Sequence, residues 1–220
     1  MKLELATKQY IKTNKGKGSA QLIEAANGVI NKLGPEWEKM LTAISAALIE
    51  DFGNEIAEDL GAEPKALIGT TEAKWVFDPM STAARAWIIK HGAESIKSIL
   101  ATNLDDVKRV ILAGTDENLS TPQIARNIRK FYDDRSAFKS MRVARTEVSH
   151  AAGWGQREAA RQSGVVKTKT WITSRDDRVR DSHAAMDGET VDFNEPYSDG
   201  STYPGEQDIM CRCVEAYGTR

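Results

Sequence analysis

Apolar residues recur at intervals of three and four positions through roughly the first three quarters of the chain, which is the spacing of helices that bury one face. One such stripe begins at Ala20, and Gly34 suits the C-terminal end of that helix. The next helix is predicted from Pro35 to Leu60, because proline favours the first helical turn. A further helix is predicted to begin at Asp78. These residues therefore restrict the chain to a mostly helical fold.

Three signals predict where the later helices begin and end. Gly92 is expected to weaken or divide the helix in which it lies, because glycine is a poor helix former. A second helical set is predicted from Asp105. In the segment LSTPQ, residues 119–123, a serine or threonine caps the next helix and the proline occupies its first turn. The helical pattern then continues to Gly164.

The pattern changes after this last helix. The segment VVKTKTWIT, residues 165–173, alternates apolar and polar side chains, as a half-buried strand does. From Asp187 onward the sequence is rich in Gly, Pro, Asp, Ser and Tyr, which favours turns, loops and short strands. With 220 residues, of which 40% are apolar, the chain can bury a core. We therefore predict an α+β fold, with a mostly helical N-terminal half followed by a helical module with a small C-terminal β element.

Charge is distributed unevenly along the chain. Residues 119–169 contain eleven basic and four acidic residues, a net charge of +7, whereas residues 181–220 contain two basic and nine acidic residues, a net charge of −7. A basic helical surface is typical of proteins that contact a phosphate backbone. A solvated face, or pairing with the acidic end of the same chain, is the alternative. The candidate DNA-binding residues are Arg126, Arg129, Lys130, Lys139, Arg142 and Arg145.

The two cysteines of the chain, Cys211 and Cys213, form a CRC motif. On a strand, residues two positions apart point to the same face, so both thiols could reach one ion. His183 would add a nitrogen ligand, and Asp176 or Asp177 is a candidate fourth ligand, since zinc takes about four such ligands. A reduced cysteine pair, with His183 as a hydrogen-bonding anchor, is the alternative. Zinc is the one candidate cofactor, and otherwise we expect none.

The segment RDDRVRD, residues 175–181, combines acidic and basic residues at close spacing. Carboxylates here, together with Glu147 and His183, have the chemistry to hold a divalent metal for phosphodiester hydrolysis. The alternative is a turn and helix start in which aspartate caps backbone amides and arginine pairs with carboxylates. We favour this second interpretation, a structural polar cluster. Its predicted members are Asp177, Arg178, Arg180, His183, Arg145 and Glu147.

The order of these segments resembles that of the phage Mu protein F-like family of head-morphogenesis proteins. SMRVARTEVSHAAGWGQREAARQSGV, residues 140–165, is similar to the Ala-Arg-Thr-Glu helix of that family, and LSTPQIARNIRKFY is similar to the preceding helix. The resemblance covers roughly residues 105–214, and Met210 stands where the family often has asparagine. The later motif residues occur in the family's order: Trp171, Asp177, Arg180, His183, Asp187-Gly188, Tyr203-Pro204-Gly205 and Cys211-Arg212-Cys213.

The resemblance implies a minor capsid protein of a tailed phage, with a role in head assembly and in DNA packaging or delivery. It implies no established enzymatic activity, and we expect binding rather than catalysis. The expected partners are the portal and capsid proteins and double-stranded DNA, in the virion and in the cytoplasm of the bacterial host during assembly. The alternative is a metal-dependent enzyme that acts on nucleic acid through the Asp, His and Cys residues above.

The resemblance also suggests a division of the chain into three parts. Residues 1–19 are predicted to be a flexible polar arm, residues 20–104 a helical module for docking or spacing, and residues 105–220 the Mu F-like domain. No stretch of the sequence approaches the roughly 18 consecutive apolar residues that a membrane span needs, so no membrane contact is expected.

Overall fold

The computed structural model describes residues 19–62 and 75–219. The predicted arm over residues 1–19 therefore lies outside the described residues, apart from Ser19. Two compact units are present, and each is built from two separate stretches of chain. The first unit comprises Met1–Thr42 with Ile89–Ser140, and the second comprises Ala43–Ile88 with Met141–Arg220. The predicted domain boundaries, at residues 19/20 and 104/105, stay a prediction.

Long helices account for most of the described residues, and a small sheet follows them. This order confirms the predicted α+β class, with its helical N-terminal half and small C-terminal β element. The elements are α1 (Ser19–Lys32), α2 (Gly34–Asp59), α3 (Thr82–Asp116), α4 (Thr121–Ser163), β1 (Thr168–Ile172), α5 (Asp181–Ala185), β2 (Thr190–Asp192) and β3 (Val214–Gly218).

Helix α3 differs from its prediction at both its start and its middle. It begins after Ser81, whose Oγ accepts the backbone N–H of Ala84 at 3.1 Å as a helix cap does. It then continues through Gly92 without the expected division. A glycine costs a helix only about 1 kcal/mol, and burial of apolar residues such as Ile96 and Val107 stabilises the helix by more than that.

Helix α4 begins and ends where the sequence predicts. The side chain of Gln123 accepts the backbone N–H and the hydroxyl of Ser120, at 2.8 and 2.6 Å, which closes the first turn. The helix ends at Ser163, and Gly164 follows with a φ of 67°, the left-handed conformation that favours glycine. Because α4 is uninterrupted over 43 residues, it contributes its N-terminal part to the first unit and its C-terminal part, from Met141, to the second.

The core of the first unit is formed by α1, α3 and the N-terminal part of α4. Gly114 allows α3 and α4 to approach closely, because an added Cβ would lie only 2.7 Å from Ile124 Cγ1. The buried residues of this core are Ala26, Ile30, Val107, Ile111, Ile124 and Ile128.

The helical core of the second unit contains α2 and the C-terminal part of α4. Gly155 lies against the backbone of Ile49, and a Cβ at this glycine would be 2.9 Å from Ile49 Cα. Nearby, the rings of Trp87 and Trp154 stack with centroids 5.2 Å apart. The close helix contact therefore depends on a position without a side chain.

The sheet of the second unit has the strand order β2-β1-β3, and both pairings are antiparallel. The central strand, β1, confirms the strand predicted from the alternation in VVKTKTWIT. Its Lys169 and Trp171 are buried, whereas the residues between and beside them are half-buried. Trp171 pairs with Glu215 across the sheet. On the buried face of β1, the indole of Trp171 packs against His183, which belongs to the site described in the next section.

Candidate metal centre

The imidazole of His183 and the two cysteine thiols lie together in the second unit. His183 Nδ1 is 3.8 Å from Cys211 Sγ and 3.5 Å from Cys213 Sγ, and all three donor atoms lie within 4.8 Å of one another. The short helix α5 carries the histidine, and the cysteines precede β3 directly. His183 lies 28 and 30 positions before the two cysteines in sequence and forms with them one cluster of donor atoms, which we call the His-Cys-Cys cluster.

The imidazole ring of His183 is held on two sides. Its Nε2 lies 2.9 Å from Oδ2 of Asp208, and the indole of Trp171 packs edge-on against it with centroids 5.2 Å apart. Trp171 and His183 are 1% and 3% exposed, respectively. The carboxylate therefore fixes Nε2 and leaves Nδ1 facing the two sulfur atoms.

The two thiols are electrostatically unequal. The hydrogen bond from Cys213 lowers the pKa of Cys211 to about 6, although burial of the thiol opposes this shift. The same hydrogen bond, together with burial, raises the pKa of Cys213. Of the two thiols, Cys211 is therefore the one that loses its proton more readily. A thiolate is the form of cysteine that binds metals and acts as a nucleophile.

Side chains of α4, together with Arg180, hold the segment that carries the cysteines. Ser149 Oγ donates to the backbone oxygen of Cys211 at 2.8 Å, and Thr146 Oγ1 accepts the N–H of Met210 at 3.1 Å. The guanidinium of Arg180 donates to the carbonyl oxygen of Ile209 at 2.6 Å. The position of both thiols therefore depends on contacts from outside their own segment.

The backbone of Met210 has a φ of 59°, in the left-handed region. Asparagine tolerates this conformation better than other residues with a side chain. The asparagine that the family often has before its first cysteine thus suits the backbone, and methionine at this position carries local strain.

Asp176, the fourth ligand suggested by the sequence, lies outside the His-Cys-Cys cluster. Its carboxylate accepts a hydrogen bond from the guanidinium of Arg212 and another, at 3.0 Å, from the backbone N–H of Arg178. The bond from Arg212 is the main reason that the pKa of Asp176 is below its usual value. This exposed ion pair ties the RDDRVRD segment to the CRC motif.

The structure brings two members of the predicted polar cluster together, through a residue that the sequence analysis missed. Asp208 lies 2.9 Å from His183 and 3.8 Å from Arg180. The signal was an acidic residue three positions before the CRC motif, in QDIMCRC, but several other carboxylates lie as near in sequence. The remaining predicted members are arranged differently, with Asp177, Arg178 and Arg145 exposed and Glu147 buried.

A buried lysine is the second feature that the sequence analysis missed. Lys169 Nζ donates to the backbone oxygen of Thr202 at 2.5 Å, lies 3.9 Å from Glu215 Oε1, and stands 4.4 Å above the ring of Tyr197. Burial is the main cause that lowers the pKa of Lys169 to about 8. The alternation of β1 placed Lys169 on the same face as Trp171, so the pattern alone indicated its burial.

In the first unit, three candidate DNA-binding residues are exposed on α4, and a fourth forms a salt bridge within the unit. Arg126, Arg129 and Lys130 are exposed on adjacent turns, and Arg129 Nε lies 3.3 Å from Asp133 Oδ2. Lys139 instead forms a salt bridge with Asp106, whose side chain is 8% exposed. The three exposed cations could therefore meet a phosphate, whereas Lys139 stabilises its own unit.

In the second unit, Arg142 is half-buried and Arg145 is exposed. Several acidic residues of the C-terminal segment accept hydrogen bonds from residues close to them in sequence, which organises the loops of that unit. Such pairs are Glu189 with Ser198, Asp199 with Ser201, and Glu206 with Thr202. Among the helices of the described residues, none has the length and apolarity that a membrane crossing requires.

A sequence profile of the family described as phage Mu protein F like protein matches residues 105–216, which is about half of the chain. The chain belongs to the phage Mu protein F-like family. The family predicted from the ordered motifs is thereby confirmed, and the matched residues include the whole His-Cys-Cys cluster.

Two relatives of this Mu F-like chain match it over a limited region. A protein of Haemophilus influenzae, described as an uncharacterized protein, is 30% identical over 120 residues, which are 54% of this chain and 26% of that protein. The NAD(+)--arginine ADP-ribosyltransferase EFV of Enterococcus faecalis is 28% identical over 121 residues, 50% of this chain and 24% of that protein. The matched region thus spans about a quarter of each relative. No solved structure matches significantly.

The motif residues of the Mu F-like resemblance surround the cluster. Asp187 Oδ1 accepts the backbone N–H and the hydroxyl of Thr173, at 2.9 and 3.1 Å, and so closes the loop between β1 and α5. Gly205 has a φ of 90°, and a Cβ there would lie 3.6 Å from the Cβ atoms of Cys211 and Ser149. These motif residues therefore position the loops that bring His183 to the cysteines.

Proposed function

We propose that this protein is a minor capsid component that acts in phage head assembly by binding portal or capsid proteins rather than by catalysis. The observation that carries the proposal is the family match over residues 105–216. The burial of the reactive groups supports it, since the side chain of His183 is 4% exposed and Cys211 is 3% exposed. A polymeric substrate would need more open access to these atoms.

The exposed apolar residues of α4 favour protein contacts. Phe138, Met141 and Val148 are 65%, 52% and 39% exposed, although large apolar side chains are usually buried. Tyrosine, phenylalanine and methionine are enriched where proteins bind one another. In this proposal, such side chains contribute to docking on another head protein, in the host cytoplasm during assembly and then in the virion.

The test is made in a phage or prophage that encodes this chain. Mass spectrometry of purified heads measures whether the chain is incorporated, and electron microscopy counts DNA-filled heads with and without the gene. We expect the chain in the particles, and fewer filled heads after an in-frame deletion. Absence of the chain from purified heads, with an unchanged yield of filled heads, would refute the proposal. Cleavage of DNA by the purified protein, lost in His183→Ala, would favour the enzymatic alternative.

DNA contact is a second candidate function, favoured by the exposed cations at Arg126, Arg129 and Lys130. Their positions, three and four residues apart, place them on one face of α4. Lysine and arginine that contact phosphates release counterions, so DNA affinity falls with salt by a log–log slope of about −0.9 per contact. These three residues together would contribute a slope of about −2.7.

Fluorescence anisotropy with duplex DNA over a range of salt concentrations measures this slope. Changing the three residues to Gln should weaken binding and make the slope shallower by about 2 to 3. The matched control removes three other cations of α3 in the same unit, Lys90, Lys97 and Lys108, by substitution with Gln. Equal losses in both triple variants would indicate an effect of net charge and not a binding face.

A further inference from the structure

We propose that His183, Cys211 and Cys213 form a zinc site, with Nδ1 and the two Sγ atoms as its protein ligands. The site does not depend on the proposed function, because it rests on the positions of three donor atoms. Zinc binds cysteine sulfur at about 2.3 Å and histidine nitrogen at about 2.0–2.1 Å in tetrahedral geometry. With these bond lengths, tetrahedral angles place the nitrogen about 3.6 Å from each sulfur.

The separations in the structure agree with this geometry. Nδ1 lies 3.5 Å from the sulfur of Cys213 and 3.8 Å from that of Cys211. The three donor atoms, within 4.8 Å of one another, therefore lie close to the three corners of a zinc tetrahedron.

The surroundings have the features of a metal site. Asp208 fixes the far nitrogen of His183 at 2.9 Å, as carboxylates do behind zinc-bound histidines, where they orient the ring and increase its basicity. Ser149 and Thr146 hold the cysteine segment through the backbone of Cys211 and Met210. The ligands are thus positioned before an ion arrives, which reduces the conformational cost of binding.

The chemistry of the donors favours zinc over other ions. Thiolates are soft ligands and imidazole is a borderline one, a combination that suits zinc and disfavours magnesium and calcium, which bind oxygen. Two thiolates and a neutral imidazole balance the charge of Zn²⁺, which is what a largely buried site requires. Both cysteines are free thiols in the structure, so neither is held in a disulfide.

The described residues 19–62 and 75–219 place three protein ligands in this site, which would leave the fourth position of a zinc ion to water. The ion would join α5 to the segment before β3, and through β3 to the central strand β1. It would therefore add a cross-link to a small module, as metals do in small folds.

The first experiment measures zinc by plasma emission spectrometry in protein purified under reducing conditions without a histidine tag. We expect about one equivalent per chain, and loss of the metal in the double variant Cys211→Ser, Cys213→Ser. Two controls in the same segment should keep it, Arg212→Gln between the cysteines and Asp176→Asn at the excluded fourth ligand. Loss of zinc in Asp176→Asn would overturn the three-ligand assignment.

A second measurement uses the unaltered chain, because the serine variant could fail to fold. Zinc is removed with a chelator under reducing conditions and Co²⁺ is added, and absorption spectra are recorded. A thiolate site gives sulfur-to-cobalt charge-transfer bands in the near ultraviolet and intense visible bands of tetrahedral cobalt. Chelator treatment should also make both thiols reactive toward a thiol reagent. Absence of bound metal in the purified protein, together with no cobalt spectrum, would overturn the proposal.

Discussion

Gly155 is the position at which the packing of α2 and α4 in the second unit is most sensitive to a single methyl group. A Cβ built there lies 2.9 Å from Cα and 3.0 Å from the carbonyl oxygen of Ile49. Both atoms belong to the backbone of α2, so no side-chain rotation can relieve the overlap. Gly155→Ala must therefore push the helices apart or bend one of them.

Two effects of opposite sign determine the magnitude. Alanine is favoured over glycine inside a helix by about 1 kcal/mol. Overpacking a close contact costs about 1–3 kcal/mol, and the cost lies toward the upper end where the backbone has to move. We expect a net loss of about 1–2 kcal/mol in the free energy of unfolding. For a chain of this size, such a loss lowers the melting temperature by about 2–8 °C.

Thermal unfolding followed by tryptophan fluorescence measures this loss, because the stacked pair of Trp87 and Trp154 lies in the same unit. Gly28→Ala is the matched control, since Gly28 lies within α1 and an added Cβ meets no atom within 4 Å. That change should stabilise the protein by about 0.5–1 kcal/mol, as seen by circular dichroism. A Gly155→Ala variant that melts at or above the wild-type temperature would refute the packing argument.

Three further predictions concern single side chains of the second unit. Lys169 faces Glu215, Tyr197 and Arg157, and its pKa is about 8 in the folded protein and 10.5 in the unfolded chain. Its contribution to stability is therefore present above pH 10.5 and lost as the pH falls through 8. The free energy of unfolding of the wild type minus that of Lys169→Met, measured by urea unfolding, should rise by up to about 3 kcal/mol between pH 8 and pH 10.5. A difference that does not change with pH would contradict this. Met210→Asn should raise the free energy of unfolding by up to about 1 kcal/mol in the same assay, because asparagine tolerates the left-handed φ, and a loss of stability would exclude strain at this residue. Burial alone would raise the pKa of Glu158, but hydrogen bonds from Arg161, Gln162 and Ser81 outweigh it and lower the pKa below 4.5. Its stabilising effect is therefore present above pH 4.5 and lost at lower pH, so Glu158→Gln should cost about 1–2 kcal/mol at pH 7 and little in acid, as acid titration of both proteins would show.

The helices were predictable because their signals are local. The stripe from Ala20, the Ser120 cap and Gly164 each act within a few residues, and the described helices begin and end close to these positions. The prediction that Gly92 divides α3 was wrong. The helix-propensity cost of a glycine is local, whereas the burial that outweighs it involves residues distant in sequence. A propensity pattern does not contain that second contribution.

The sequence predicted the candidate metal ligands but not the residues that hold them in place. The histidine and the two cysteines could be named because few residue types bind soft metals. Asp208 could not be selected, since the choice among nearby carboxylates depends on a loop that Thr146 and Ser149 hold from α4. Asp176 was a candidate fourth ligand, but Arg212 competes for its carboxylate.

Each compact unit is assembled from two stretches that are far apart in the chain, which has a consequence during synthesis. Helix α1 leaves the ribosome early, but the residues that cover Ile30 include Ile111 and Ile124, more than 80 positions later. At about 5–20 residues per second, the apolar face of α1 waits on the order of 4 to 20 seconds for its partners. Residues 43–88 wait for a comparable time, until the segment after residue 141 has been made. The nascent chain therefore exposes hydrophobic surface for seconds, during which a chaperone or another head protein could bind it.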